Sequence, residues 1–449
     1  MAKDAQGLQV TGSQESVLLL DRAISDLFGW KGEPVGWLQQ AVDEDPAFGL
    51  GGSAIASLFL LGGFRGDHRR VTSAFNAAER ASASTAATSR EIRHLAAARS
   101  LAAGEFANAI DIWESILVDH PTDALALRFA NDAYFCLGQS LSIRDSIARV
   151  LPHWDPQGEN YGYVLGQYAF GLEEAGELRR AEEVARAAIS RNVEDGWAIH
   201  ALAHVLETAS RQAEGIAFLR DTHYGWSRAH ALAVHNGWHL ALYLIEEGRF
   251  DEVLADYDAY VAPKLPGDFL LDLIDASALL WRLELAGADV GARWEPLAAQ
   301  WMTHVDDHVM VFNDLHIALA VARAGNRVGI ERLRRSLDRY TREGRGDNRN
   351  VTAEVGRRLI DGVLAFAAGE YARAVGLIQP VRYHAHRIGG SHAQRDLLTQ
   401  TLIAASERAG QRGLTRALLA ERVAQRPTAR TTQHYARAGG SPAFSFSAL

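Results

Sequence analysis

The sequence predicts an all-α protein, because strong helix formers dominate it and helix-breaking residues are scarce. Ala, Leu, Arg and Glu are abundant, whereas the 449 residues include only 11 prolines. All four abundant residue types favour helices. Apolar residues recur at the i, i+3, i+4 and i+7 spacing of a buried helix face, and the alternating pattern of strands is nearly absent. The apolar fraction of 48% is enough for a sizeable core.

A turn motif of the form G-x-[FYL]-x-x-[AV] occurs four times and predicts that consecutive helices pair into hairpins. Its copies begin at Gly104, Gly176, Gly248 and Gly369. The glycine ends the first helix in a left-handed turn, and the aromatic or Leu residue two positions later begins the second helix. Such a hairpin cannot bury its own apolar face, so neighbouring hairpins must stack. We therefore predict a right-handed superhelix of tetratricopeptide-like helix–turn–helix repeats.

The pattern predicts four segments along the chain. Residues 1–13 form a flexible N-terminal arm, and residues 14–340 form a helical-repeat array with a histidine-rich groove. A polar, glycine-bearing stretch then leads to C-terminal helical repeats over 351–430, which close the groove. Residues 431–449 form a tail with two phenylalanines. Exposed ends of the array and this tail lead us to expect a homodimer.

Composition excludes several classes of function. The formal net charge is -9, from 46 basic and 55 acidic residues, which argues against a general nucleic-acid binder. The N-terminus lacks the apolar core of a secretory signal, and the most apolar stretch, 55–62, is too short to cross a bilayer. Cys136 is the only cysteine, so the chain has no disulfide framework. We expect a cytoplasmic protein that binds neither membranes nor nucleic acids.

Four sequence phrases resemble a known family, that of tetratricopeptide repeat protein 38 and its bacterial relatives. They lie at 195–207 (DGWAIHALAHVLE), 234–243 (VHNGWHLALY), 312–316 (FNDLH) and 389–396 (GGSHAQRD). The similarity runs from about residue 15 to about residue 427. The resemblance implies an array of tetratricopeptide-like helices. It implies no established reaction and assigns no catalytic residue.

Polar residues recur at helical spacing in four places along the chain. Residues three or four positions apart lie on one face of a helix. Burying so many polar groups is costly unless they contact one another or a ligand. We therefore predict that four sets converge on the concave groove: His200, His204 and Glu207; His235, His239 and Tyr243; Asn313 and His316; and His392, Arg395 and Asp396. Nearby aromatic residues are expected to form the apolar wall of the pocket, namely Trp197, Trp238, Tyr161 and Tyr163.

Three kinds of chemistry are compatible with this pocket. A divalent metal would use His200, His204, His235 and His239, although the H-E-x-x-H form is missing. Metal-free acid/base catalysis would couple His204 to Glu207 or His392 to Asp396, with Arg395 holding an anionic group. In the third interpretation, the histidines and acids form a structural hydrogen-bond network.

We favour a small-molecule-binding enzyme, a hydrolase or lyase, that uses histidine and carboxylate side chains for acid/base chemistry. The predicted catalytic residues are His200, His204, Glu207, His235, His239, His316, His392 and Asp396. The predicted ligand-binding residues are Arg395, Asn313, Trp197, Trp238, Tyr161, Tyr163 and Tyr243. The alternative is a tetratricopeptide-repeat scaffold for protein–protein interaction. Only three lysines occur, Lys3, Lys31 and Lys264, which disfavours a lysine clamp for peptide carboxylates.

Overall fold

The computed structural model describes residues 2–84, 87–267 and 269–441, and these residues are almost entirely helical. Within the described ranges, strand structure is confined to a short antiparallel pair, Ala2–Lys3 (β1) with Gln9–Val10 (β2). The prediction of an all-α protein is confirmed. The β pair lies within the segment predicted as a flexible arm.

The chain divides into two compact units, and the first comprises Met1–Ala201, Gly225–Leu232 and Gly344–Asn350. Consecutive helices pack against each other along this unit. Its helices are α1 (Gln14–Gly29), α2 (Pro34–Glu44), α3 (Gly49–Leu61), α4 (Arg69–Ser84), α5 (Ser89–Ala102), α6 (Phe106–Asp119), α7 (Ala124–Cys136), α8 (Ser140–Val150), α9 (Tyr161–Glu174) and α10 (Leu178–Arg191).

The second unit comprises Leu202–Tyr224, Ala233–Glu343 and Val351–Leu449. Four helices run through a boundary of the division: α11 (Gly196–Thr208), α13 (His223–Trp226), α14 (His230–Glu246) and α20 (Gly346–Val351). The other helices of the second unit are α12 (Gln212–Asp221), α15 (Phe250–Asp256), α16 (Leu270–Ala286), α17 (Trp294–Trp301), α18 (Val311–Arg323), α19 (Arg327–Glu343), α21 (Arg357–Ala367), α22 (Tyr371–Ile378), α23 (His392–Arg408), α24 (Arg412–Gln425) and α25 (Ala429–Arg437).

Short 3-10 and π-helical turns join or extend several of these helices. They lie at Leu151–His153, Tyr257–Val261, Ala262–Lys264, Gly291–Arg293, Thr352–Gly356 and Gln379–Ile388. Helix α25 begins just before the segment predicted as a tail. The two tail phenylalanines fall in 442–449, outside the described residues.

The four predicted turn motifs each join two helices. Gly104, Gly176, Gly248 and Gly369 have φ values of 80°, 84°, 73° and 79°, in the left-handed region that favours glycine. They lie between α5 and α6, α9 and α10, α14 and α15, and α21 and α22. The residue two positions after each glycine is the first residue of the second helix, as the motif predicts.

Buried tryptophans fix α16 in the core of the second unit. The indole N–H of Trp281 on α16 donates to Thr401 Oγ1 on α23 at 2.9 Å. The indole N–H of Trp301 on α17 donates to Ser277 Oγ on α16 at 2.8 Å. A buried indole contributes a large apolar area, and its N–H needs an acceptor. These contacts hold α16 in a fixed register, which matters because α16 carries side chains of the candidate site.

Candidate functional site

Two helices supply the histidines that come together in the second unit. Helix α11 carries His204, and α14 carries His235 and His239 one turn apart. The Tyr243 hydroxyl, one turn beyond His239, donates to the backbone oxygen of Ala203 at 2.5 Å. This bond ties α14 to α11 beside the imidazoles, so the predicted ligand-binding residue Tyr243 acts as a link between helices.

The three imidazole rings form a compact cluster, which we call the histidine cluster (His204, His235 and His239). Ring centroids are 4.4 Å apart for His204 and His239, and 5.0 Å apart for His235 and His239. One nitrogen from each ring lies within 4.8 Å of the others. The three residues are only 1%, 5% and 0% exposed, so the cluster is shielded from bulk water.

Carboxylates orient two rings of the histidine cluster. The Nδ1 atom of His235 lies 2.8 Å from an oxygen of Asp275, which is buried on α16. The Nδ1 atom of His239 lies 3.3 Å from Glu207 Oε2, and the guanidinium of Arg426 binds the other oxygen of Glu207. A carboxylate on Nδ1 fixes the ring orientation and directs Nε2 toward a bound metal in metalloproteins.

The electrostatic surroundings favour a neutral His239 and an ionised Glu207. Burial and the neighbouring His204 lower the pKa of His239 to about 3, despite the opposing effect of Glu207. Burial alone would raise the pKa of Glu207, but Arg426 and His239 outweigh it and lower that pKa to about 2. A neutral imidazole is the form that binds a metal.

Trp238 and Arg282 border the histidine cluster. The Trp238 ring stacks on His235 at a centroid distance of 5.3 Å, and the Arg282 guanidinium lies 5.3 Å from the Trp238 ring centroid. Arg282 Nη2 donates to the backbone oxygen of Ala393 at 2.6 Å. Burial lowers the pKa of Arg282 to about 10, so it stays charged at neutral pH. Trp238 thus packs between His235 and the buried cation Arg282.

His316 is buried on α18 and is engaged locally. Its Nδ1 atom lies 2.7 Å from the backbone oxygen of Phe312, one turn earlier, whereas Nε2 has no hydrogen-bond partner. Burial lowers the pKa of His316 to about 4, and the charge on Arg282 adds to that shift. Asn313, on the same helix, is half-buried.

The set on α23 separates into different environments. His392 is exposed, and its Nδ1 atom lies 3.4 Å from Arg395 Nη2. Arg395 itself donates to the backbone oxygen of Gly390. Asp396 accepts from Arg422 Nη2 at 2.9 Å. Asp396 thus pairs with Arg422 and not with His392, the partner that the sequence predicted. In the same way, Glu207 was predicted to pair with His204 of its own helix but contacts His239 of the neighbouring helix.

Four predicted site residues belong to the first unit. The His200 ring lies one turn before His204 on α11 and packs at 4.8 Å from Trp197. Trp197 in turn stacks on Trp30 at 5.3 Å. The Tyr163 hydroxyl accepts from Asn192 at 3.2 Å, and Tyr161 packs under Arg191. Ring contacts and one hydrogen bond thus hold these side chains within that unit.

Sequence reasoning missed Asp275, Arg282 and Arg426. Asp275 offered a signal, because it is an acid within the apolar run LLDLIDASALLW, where an unpaired charge would be costly. Arg282 follows in the same helix with the same signal. Arg426 had none, because it lies just after α24 in a polar stretch.

A scan of the chain against models of protein families gives no match. Among the described residues, no helix combines the length and apolar composition needed to cross a membrane. The geometry of the site is therefore the basis for any functional assignment. The arrangement offers three nitrogen ligands in a shielded cluster, with two of the rings held by carboxylates.

Proposed function

We propose that this protein is a helical-repeat metalloprotein whose second unit binds a divalent transition-metal ion through His204, His235 and His239. The observation that carries the proposal is that nitrogens of the three buried rings lie within 4.8 Å of one another. Imidazole nitrogens suit zinc, copper, iron and nickel. The carboxylates on His235 and His239 add the outer contacts that usually accompany such ligands.

A catalytic role requires that water or a small molecule occupy one coordination position of the ion. Three protein ligands with an open position are the usual arrangement of catalytic zinc, whereas structural zinc has four. A metal held there would polarise a bound water or carbonyl group, which suits a hydrolase or lyase. A small-molecule ligand and an enzymatic role accordingly belong to the proposal.

Metal-free acid/base catalysis is the second candidate, and the pairing of His235 with Asp275 favours it. A 2.8 Å contact between a histidine and a buried carboxylate orients the ring for proton transfer. The two candidates differ in one measurable respect, because only the first requires a bound ion.

Tetratricopeptide-like repeats are the proposed framework, forming a right-handed superhelix within each unit. Support comes from the first helix of each hairpin. The starts of successive first helices are about 34 to 37 residues apart, close to the 34-residue tetratricopeptide period. These helices begin at Ser89, Ala124, Tyr161, Gly196 and His230. A role as a protein-interaction scaffold, a homodimer and a cytoplasmic location stay predictions.

Elemental analysis of the untagged full-length protein tests the metal proposal. We expect about one zinc, cobalt or nickel ion per chain after incubation with each metal and removal of excess ion. The double variant His204→Ala/His239→Ala should lose that ion, whereas His384→Ala, at an exposed histidine, should retain it.

Circular dichroism identifies variants that fail to fold, and His235→Gln then replaces the double variant as the milder change. An unmodified protein that binds none of the three metals, or a folded variant that keeps the full amount, would exclude the proposed centre. Activity that persists in metal-free protein would favour acid/base catalysis.

A further inference from the structure

The first unit contains a second candidate site, a cavity of about 580 Å³ beside α1 and the start of α9. This volume lies in the range of small-molecule pockets. Its lining includes two basic residues, Arg22 and Lys31. It also includes four acidic residues, Asp21, Asp26, Asp155 and Glu159. We call this cavity, with the four acids that line it, the acidic pocket.

Neutral donors contact three of these carboxylates. Asp21 accepts from the backbone N–H of Ala5 at 2.9 Å, and Asp26 accepts from the Trp37 indole at 2.9 Å. Glu159 accepts from the Ser25 hydroxyl at 3.0 Å. Within the described part of the chain, none of the four acids forms an ion pair with an arginine or lysine, so their charge is not neutralised by contact.

The two basic residues of the lining are directed at aromatic rings. The guanidinium carbon of Arg22 lies 3.6 Å from the Trp37 ring centroid. The ammonium of Lys31 lies 5.9 Å from the Tyr163 ring centroid. Burial would lower the pKa of Lys31, but Tyr163, Asp26 and Glu159 outweigh it and raise that pKa. Two cations face four carboxylates in the lining, so the acidic pocket keeps an excess of negative charge.

Two side-chain amide oxygens in the lining have no donor. Asn160 is only 7% exposed, and its buried Oδ1 atom has no hydrogen-bond partner. The Oε1 atom of Gln6 is buried without a partner as well. A buried acceptor without a donor is destabilising, so a ligand that brings N–H groups would be favoured at both places.

We propose that the acidic pocket binds an aliphatic amine that carries two or more ammonium groups. Ammonium groups supply both the positive charge that the carboxylates lack and the N–H donors that the amide oxygens lack. No three of these acids, all of them described, bring oxygens within 4.8 Å of one another. Separated negative charges fit an extended cation better than a single metal ion.

The electrostatics of Asp21 agree with this assignment. Burial raises its pKa, and the neighbouring negative charge of Glu159 adds to that shift. An ammonium group between the two carboxylates would relieve their repulsion. Because this site lies wholly in the first unit, its test is independent of the histidine cluster.

Isothermal titration calorimetry with spermidine at low ionic strength tests the proposal on the full-length protein. We expect one molecule bound per chain. The change Glu159→Gln, at an exposed position, should weaken binding by about fivefold, and Asp21→Asn/Glu159→Gln by more than about tenfold. The change Glu79→Gln removes a charge elsewhere in the same unit and should leave the affinity unchanged.

Spermidine that binds all four proteins equally would mean non-specific attraction to an acidic protein and would overturn the assignment. Absence of binding to the unmodified protein would overturn it too. If circular dichroism shows that the double variant is unfolded, Glu159→Lys replaces it. We expect this charge reversal to abolish spermidine binding, and binding that persists would overturn the assignment.

Discussion

Two buried carboxylates in the first unit, Asp123 and Asp195, occupy the same local position and differ in their partners. Each precedes a helix and caps it: Asp123 accepts from the N–H of Ala126, and Asp195 from that of Ala198. They are 1% and 0% exposed, so burial acts on both alike. The difference between them isolates the effect of a nearby cation.

Asp123 contacts the Arg90 guanidinium, whereas Asp195 contacts no cation in the described part of the chain. Burial would raise the pKa of Asp123, but His94 and Arg90, the latter at 2.8 Å, lower it well below its usual range. Among the described residues Asp195 forms no ion pair and its Oδ2 atom accepts no hydrogen bond, and burial raises its pKa to about 7. Burial alone therefore disfavours a charged cap, and contact with a cation reverses the effect.

Glu207 in the second unit follows the pattern of Asp123, because Arg426 and His239 keep it ionised despite burial. A carboxylate that stays charged can orient an imidazole, whereas one that takes up a proton near neutral pH cannot do so reliably. The partners of a buried carboxylate thus decide whether it stays charged, as Glu207 and Asp123 do, or takes up a proton near neutral pH, as Asp195 does.

The largest expected effect is that of Asp195→Asn on the pH dependence of the unfolding free energy. Because its folded pKa is raised, its contribution to stability is complete below about pH 4 and is lost as the pH rises through about 7. In that window the protein should lose about 1.4 kcal/mol of stability per pH unit, on the order of 4 kcal/mol in total. Asp195→Asn should lack this loss in urea unfolding measured between pH 4 and 8.

Asp123→Asn is the matched control, with the opposite sign. Its lowered pKa makes its contribution complete above the ordinary aspartate pKa, and that contribution is lost only on acidification. This variant should therefore be less stable than the unmodified protein at pH 7. Equal pH profiles for the two variants would refute the distinction between the two caps.

Removing the partner of Glu207 should cost about 3 kcal/mol of unfolding free energy. Arg426→Ala removes the ion pair of a largely buried carboxylate, whose remaining hydrogen-bond partner among the described residues is His239. Arg430→Ala is the control, because Arg430 binds the backbone oxygens of Ile245 and Ala286, and we expect it to cost only about 1 kcal/mol. Denaturant unfolding at pH 7 measures both, and similar losses would contradict a special role for the Glu207 ion pair.

The helices and their turns could be predicted from the sequence because they depend on local features. The motif at Gly104 fixes a left-handed turn and the start of α6 within a few residues. Spacing also predicted which face of α14 carries His235 and His239. Such features are set by neighbours along the chain, so no knowledge of the tertiary structure is required.

The partners of the histidines could not be predicted, because spacing along one helix does not show which helix packs against it. Asp275 comes 40 residues after His235, and Arg426 comes 219 residues after Glu207. On α23 the spacing was misleading for a local reason. Ser391 and Gln394 form a capping box, which places His392 at the exposed first position of the helix, while Asp396 lies one turn further in and binds Arg422.

The smallest expected effect concerns Asp275, whose carboxylate contacts His235, and it extends the comparison of buried carboxylates to metal affinity. Asp275→Asn keeps an oxygen for His235 Nδ1 but removes the charge that orients the ring, and outer-shell changes of this kind typically weaken metal binding about 10- to 100-fold. Asp272→Asn, the same change one turn earlier on α16, should weaken binding much less, since within the described residues Asp272 forms no hydrogen bond with His235 and acts on it only through its charge. Competition with a chelating dye measures both constants. Equal losses would mean that the total charge of α16 matters and that the contact between Asp275 and His235 does not.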